Sequence, residues 1–196
     1  MKFLRMKKVR DGKYLKNYEI VYQNKAGIEK TYEIVSRREL DSPEDLGKKV
    51  NGVSIIGLKE DKLLLLKEFR MGINKQVYNL CAGMVEEGET IEACVKRELY
   101  EETGLKVKRI LEILPASYAA VAVSDIKTHI VFAEVTGEFE DHTSCNEEIE
   151  ARFFTKEEVL KLLETDEFSS RAQMAAFFFA KGNFSPGNFF DNISLT

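Results

Sequence analysis

Carboxylates crowd one short stretch of the chain, residues 83–105, which reads GMVEEGETIEACVKRELYEETGL. Glu98, Glu101 and Glu102 stand at i, i+3 and i+4. On a helix of 3.6 residues per turn they fall within an arc of roughly 100°. Like charges at that spacing repel by about 0.2–0.5 kcal/mol per pair. They also sit towards the helix C-terminal end, where the macrodipole disfavours anions. A divalent cation would offset both penalties, and clustered carboxylate oxygens suit Mg²⁺, Mn²⁺ or Ca²⁺. The alternative is a solvated acidic face, the ordinary meaning of a charge run. Against it, Ile91, Val95 and Leu99 form an apolar line, and Glu98 and Glu102 lie at the edge of that stripe, not opposite it. Arg97 precedes Glu101 by four residues and can orient its carboxylate. By spacing alone the two readings stand level.

Other chemistries find less support. His129 and His142 are the only histidines, and neither shares a zinc-like spacing with Cys81, Cys94 or Cys145. The three cysteines read as reduced thiols, small buried residues without a catalytic signature.

The elements that must position the carboxylates follow from pattern and punctuation. A helix is expected from about Thr90 to Thr103, with Gly104 as its stop. Strands are expected at Val53–Leu58, Leu63–Phe69, 78–82, 107–114, 127–135 and 149–154. The run Leu63-Leu64-Leu65-Leu66 also fits a helix, but its length and the flanking Glu60-Asp61-Lys62 turn favour a buried strand. Thr155 and Glu158 form a capping box that opens a helix to about Glu164, and a last helix covers roughly 168–181 before Gly182. Ahead of all this, residues 18–23 and 31–35 alternate like strands around the turn residues Asn24–Gly27. The segment Ser42-Pro43-Glu44-Asp45 marks a junction. The expected division is a small β-rich appendage over 1–46 and a main α/β domain over 47–196.

The composition agrees with a folded, water-soluble chain: 196 residues, 44% hydrophobic and 32% charged. The net charge of −4 argues against a nucleic-acid partner. No apolar run approaches the roughly 18 residues that span a bilayer, so no membrane role and a cytoplasmic location are expected.

Gly83, Glu89 and the run Arg97-Glu98-Leu99-Tyr100-Glu101-Glu102-Thr103-Gly104-Leu105 together match the Nudix box, a glycine, a glutamate and then R-E-U-x-E-E-x-G-U with U aliphatic. Every fixed position is satisfied, and the order of elements from about 47 to 181 also resembles that family. The resemblance implies an α/β/α sandwich with a mixed sheet, and a hydrolase that cleaves a nucleoside diphosphate linked to another moiety. It implies Mg²⁺, or Mn²⁺, held by Glu98 and Glu102, with Glu101 next and Glu89 reaching in from the preceding loop. Gly83 would let the backbone pass close to the metal, and Arg97 would orient the carboxylates.

Within that family the chain looks most like the ADP-ribose pyrophosphatases. They too carry a β-rich N-terminal extension that takes part in homodimer formation. Arg70, in Lys-Glu-Phe-Arg, resembles the arginine that contacts their substrate phosphates. Asn146-Glu147-Glu148-Ile149 resembles the segment that supplies their general base, with Glu147 preferred over Glu148. The chain departs from the group at 117–125, which lacks a Ser-Pro-Gly-like segment. GDP-mannose, a nucleoside triphosphate or a dinucleoside polyphosphate therefore stand as alternative substrates, and a non-catalytic nucleotide-binding protein as a further alternative. The aromatic run Phe177–Phe179 reads as packing, whereas Tyr18, Tyr32 and Tyr78 are candidates for base stacking.

Overall fold

A computed structural model describes residues 1–140 and 148–184. In chain order its elements are β1 (Lys2–Asp11), β2 (Lys16–Gln23), β3 (Glu29–Ser36), β4 (Gly52–Lys59), β5 (Lys62–Arg70), β6 (Lys75–Asn79), β7 (Cys81–Met84), α1 (Ile91–Thr103), β8 (Lys106–Ile113), β9 (Ser117–Tyr118), β10 (Lys127–Thr136), β11 (Ile149–Phe154), α2 (Lys156–Thr165) and α3 (Ser170–Ala180). The chain packs as two units. One is Met1–Asn51 with Ala116–Thr128, and the other is Gly52–Pro115 with the described part of His129–Thr196.

In the first unit β1, β2 and β3 form an antiparallel meander. The β2–β3 turn is built by Asn24, whose Oδ1 accepts from the amides of Ala26 and Ile28 at 2.9 and 3.0 Å, and by Gly27 at φ +80°. Strand β1 escapes the sequence pattern for a physical reason. Its pairing with β2 shifts register between Phe3 and Arg5 and again between Lys8 and Arg10. Such bulges break the period of two, so that Phe3 and Met6, three apart, pack against the same core of Tyr18, Ile20, Ile34 and Leu40. The 116–128 segment joins this unit through backbone and side-chain hydrogen bonds. Val35 N donates to Val123 O at 2.8 Å, and the Tyr32 hydroxyl donates to Ala122 O at 2.6 Å.

The second unit is an α/β/α sandwich. Its mixed sheet runs β11-β5-β4-β10-β8, with β6 added to β5 and β7 to β4. The four leucines of β5 show how the layers arise. Leu63 and Leu65 pack into a core with Phe154, Val159, Ala176 and Phe179, on the side of α2 and α3. Leu64 and Leu66 pack into a core with Val95, Leu99 and Leu105, on the side of α1. All four are at most 1% exposed, and each burial is worth about 1.5–3 kcal/mol. An apolar run is therefore what a strand covered by helices on both faces requires. The single strand expected at 78–82 is divided at Leu80, β6 going to β5 and β7 to β4.

The helices begin where their caps place them. Thr90 Oγ1 accepts from Ala93 N at 3.2 Å at the start of α1, and Gly104, at φ +75°, ends it with its N–H on Tyr100 O. The capping box of α2 closes reciprocally, Glu158 N to Thr155 Oγ1 at 3.3 Å and Thr155 N to Glu158 Oε2 at 2.9 Å. Helix α3 starts at Ser170, two residues after the expected position, because Ser169 is its N-cap.

Candidate functional site

The loop between β7 and α1 folds back on the helix through one arginine. Arg97 donates to both oxygens of Glu89 (2.9 and 2.8 Å), to Glu98 Oε1 (2.8 Å), to Glu101 Oε2 (3.1 Å) and to the Met84 carbonyl (2.9 Å). Only the planar guanidinium supplies donors enough for three carboxylates and a carbonyl. Glu89 also accepts from Glu86 N at 3.0 Å. Held first by Arg97 and then by that amide, its carboxyl is lowered to about 2. These contacts fix the loop at the entry to α1. They also occupy Glu89 with Arg97, and they turn the more exposed Glu101 towards the same guanidinium.

Glu98 and Glu102 have different surroundings. The Glu98 carboxylate lies over Gly83, where a Cβ would stand 1.7 Å from its carboxyl carbon. Burial raises the Glu98 pKa against the pull of Arg97. Glu102, one turn further on, accepts from Ala82 N at 3.1 Å and lies within hydrogen-bonding reach of the Cys81 thiol. Burial pushes its carboxyl up to about 8. Both acids are thus held on one face of α1 in conditions that disfavour their charge. A cation is the group that would relieve this, and oxygen donors suit a hard divalent ion. Among the described residues no three His, Cys, Asp or Glu side chains are already gathered as a metal cluster. The fit to a metal therefore rests on this acid pair and the glycine cradle beneath Glu98.

Glu102 lines a cleft of about 200 Å³ together with Glu68, Arg70, Ala82, Glu148 and Ile149. The structure thus brings together Glu102, Arg70 and Glu148, three of the residues singled out in the sequence. Glu148 is placed by Gln76, whose Nε2 donates to its Oε1 at 2.6 Å, and by its own carbonyl, which accepts from Phe69 N at 3.0 Å. Glu147 lies outside the described residues, as do His142 and Cys145.

Glu68 is the residue that sequence reasoning passed over. It is 6% exposed, and its Oε1 accepts from Arg70 Nε and from Asn79 Nδ2 at 2.5 Å. Asn79 in turn accepts from Ser169 Oγ at 2.6 Å. The signal was available: Glu68 shares the parity of Leu64 and Leu66 along β5, so a carboxylate was heading for a buried face. Arg70 is aimed by this partner, not free at a strand end.

Several other candidates resolve into packing. Tyr18 is 1% exposed, with its hydroxyl accepting from Leu40 N at 2.8 Å. Tyr78 is wedged between Phe154 and Phe168. Neither offers a face for stacking a base. His129 bonds the Leu114 carbonyl at 2.7 Å. Cys81 and Cys94 are free and buried, and burial raises both thiols, Cys94 to about 12.

A buried acid pair on the helix of an α/β/α sandwich, one member lying over a glycine and held by the arginine that ties the helix to its entry loop, defines a class. The NUDIX domain matches this chain over residues 48–177, and the chain belongs to that family. Among curated relatives it is 30% identical over 129 residues to an ADP-ribose pyrophosphatase of Bacillus subtilis, covering 64% of this chain and 69% of that one. It is 31% identical over 135 residues to the mouse (Mus musculus) ADP-sugar pyrophosphatase, covering 66% of this chain and 59% of the relative. A solved structure titled as an ADP compounds hydrolase shares the fold with a TM-score of 0.70 over 92% of this chain and 91% of that one, at 21% identity.

Proposed function

We propose that the protein is a Mg²⁺-dependent Nudix hydrolase that cleaves the diphosphate of ADP-ribose or a related nucleotide sugar, giving a nucleoside monophosphate and a sugar phosphate. The observation that carries this is the Glu98–Glu102 pair, both raised by burial, with Glu98 over Gly83 and Glu102 on a cleft shared by Arg70 and Glu148. The two curated relatives named for ADP-ribose and ADP-sugar pyrophosphatase activity support the substrate class.

Glu98 and Glu102 would hold the ion, Mn²⁺ being an acceptable substitute. Bound there, a divalent cation neutralises the diphosphate and eases the ionisation of an attacking water. Arg97 keeps Glu98 in place and ties Glu89 and Glu101 around it. Arg70, steadied by Glu68, takes a phosphate oxygen of the substrate. Glu148 accepts the proton of the water that attacks phosphorus, while the P–O–P bridge breaks towards the departing phosphate. Glu147 is the alternative base. Residues 1–46 serve homodimer formation in the same proposal.

Hydrolysis of ADP-ribose, GDP-mannose and ATP side by side with Mg²⁺ tests it. AMP and ribose 5-phosphate from ADP-ribose are the expected products. Turnover of ATP or GDP-mannose alone would replace the substrate and keep the chemistry, and turnover of none would overturn both.

A further inference from the structure

A cleft of about 470 Å³ lies between α3 and the sheet, with Ile130, Phe132, Met174 and Phe178 among its walls. Met174 and Phe178 are exposed, so large apolar side chains face water on one patch. Such a patch marks a surface that something covers. One charged side chain lines the cleft, Arg171, in the first turn of α3. It is half-buried, and among the described residues no carboxylate or carbonyl pairs with it. The occupant that fits brings apolar bulk and one anion.

The chain itself supplies both. Beyond α3 it turns back on the helix: Gly182, at φ +77°, and Asn183 donate their amides to the Phe179 and Phe178 carbonyls at 2.9 and 3.0 Å. Phe184 then lines the cleft, its ring edge-on to Phe132 at 5.4 Å between centroids. The sequence continues over 185–196, beyond the described residues, as Ser-Pro-Gly-Asn-Phe-Phe-Asp-Asn-Ile-Ser-Leu-Thr. It carries two adjacent aromatics, Phe189 and Phe190, and a single charged side chain, Asp191. Pro186-Gly187 supplies turn chemistry between Phe184 and these residues. Asp191 follows Phe184 by seven residues, which reach up to about 25 Å when extended. The 11 residues of α3 span about 16 Å, so Arg171, at the far end of that helix, is within reach.

We propose that residues 185–196 fold back over this cleft, with Phe189 and Phe190 covering Met174 and Phe178 and the Asp191 carboxylate pairing with Arg171. The cleft has one cation and the segment one anion. The docked segment seals the side of the sheet opposite α1. It needs neither metal nor substrate, so it stands or falls apart from the hydrolase reading.

The test uses the whole chain of 196 residues. Of its five methionines Met174 alone lines the cleft. With methyl-labelled methionine, the Met174 methyl should show Overhauser contacts to the Phe189 or Phe190 ring. The double change Phe189→Ser and Phe190→Ser should remove them and shift the Met174 resonance, leaving the other four methyls in place. Asp191→Asn should lower the melting temperature by about 2–4 °C. Adding Arg171→Gln to it should cost nothing further, because the pair is already broken. A Met174 resonance unmoved by the double change would overturn the proposal. So would one that moves with protein concentration and not with the double change, which would give the cleft to a second copy of the chain. Losses that simply add for Asp191→Asn and Arg171→Gln would overturn the pairing. If a variant fails to fold, the wild-type spectrum decides: Met174 contacts confined to Phe132, Phe178 and Phe184 would overturn the docking.

Discussion

Gly83 lacks a side chain in a place where Glu98 occupies the space that one would need. The atoms nearest to a Cβ there are the end of a flexible side chain, so Gly83→Ala should fold with little loss in thermal stability. It should nonetheless displace Glu98 and reduce kcat by about tenfold or more, the scale of a disturbed ligand set. Unchanged kcat would show that Glu98 has no part in the chemistry. Arg97→Lys is the complementary change. A lysine cannot replace the fork that holds Glu89 at both oxygens while reaching Glu98 and Glu101, so Mg²⁺ affinity should fall by about 10–100-fold, measured by calorimetry. Glu102 gives the pH dependence of the metal-free protein. Its folded pKa of about 8 lies above its ordinary 4.5, so between those values the folded chain holds a proton that the unfolded chain has lost. Stability from this group is complete below the lower value and declines as pH rises to the higher. With EDTA present, the melting temperature of wild type should therefore fall across that window relative to Glu102→Gln. Parallel curves would contradict the raised pKa.

At the scale of elements, β5 does two jobs. Its leucines join the two cores of the sandwich, and its far end delivers Glu68 and Arg70 to the cleft. Leu65→Ala should cost about 2–5 kcal/mol in urea unfolding, as expected for a leucine with no exposed surface. A cost under about 1 kcal/mol would mean that the core refills. The elements also show what the sequence makes legible. Helix α1 was plain because apolar spacing, Thr90 and Gly104 all agree, and α2 because Thr155 and Glu158 sit in a capping box. Strand β1 was not, because two register shifts scramble its alternation. The division at Leu80 was hidden because β6 and β7 are short and pair with different neighbours. Glu68 and Asn79 escaped notice because their meaning lies in partners up to 90 residues away, such as Ser169.

For the whole molecule, the box of residues 83–105 carried the family, and the NUDIX match over 48–177 states it independently. What the box could not convey is the cleft around it, which is assembled from the end of β5, β7, α1, Glu148 and the start of β11. No described helix is long and apolar enough to cross a membrane. Light scattering should report a mass of twice 22.4 kDa if the homodimer expectation holds, and a monomer would contradict it. The most direct test of the central claim is the rate of AMP formation from ADP-ribose as Mg²⁺ is titrated, for wild type and for Glu102→Gln. Saturable, Mg²⁺-dependent turnover in wild type, lowered by about 100-fold or more in the variant, is predicted. Equal rates in the two proteins, or full activity in EDTA, would contradict it.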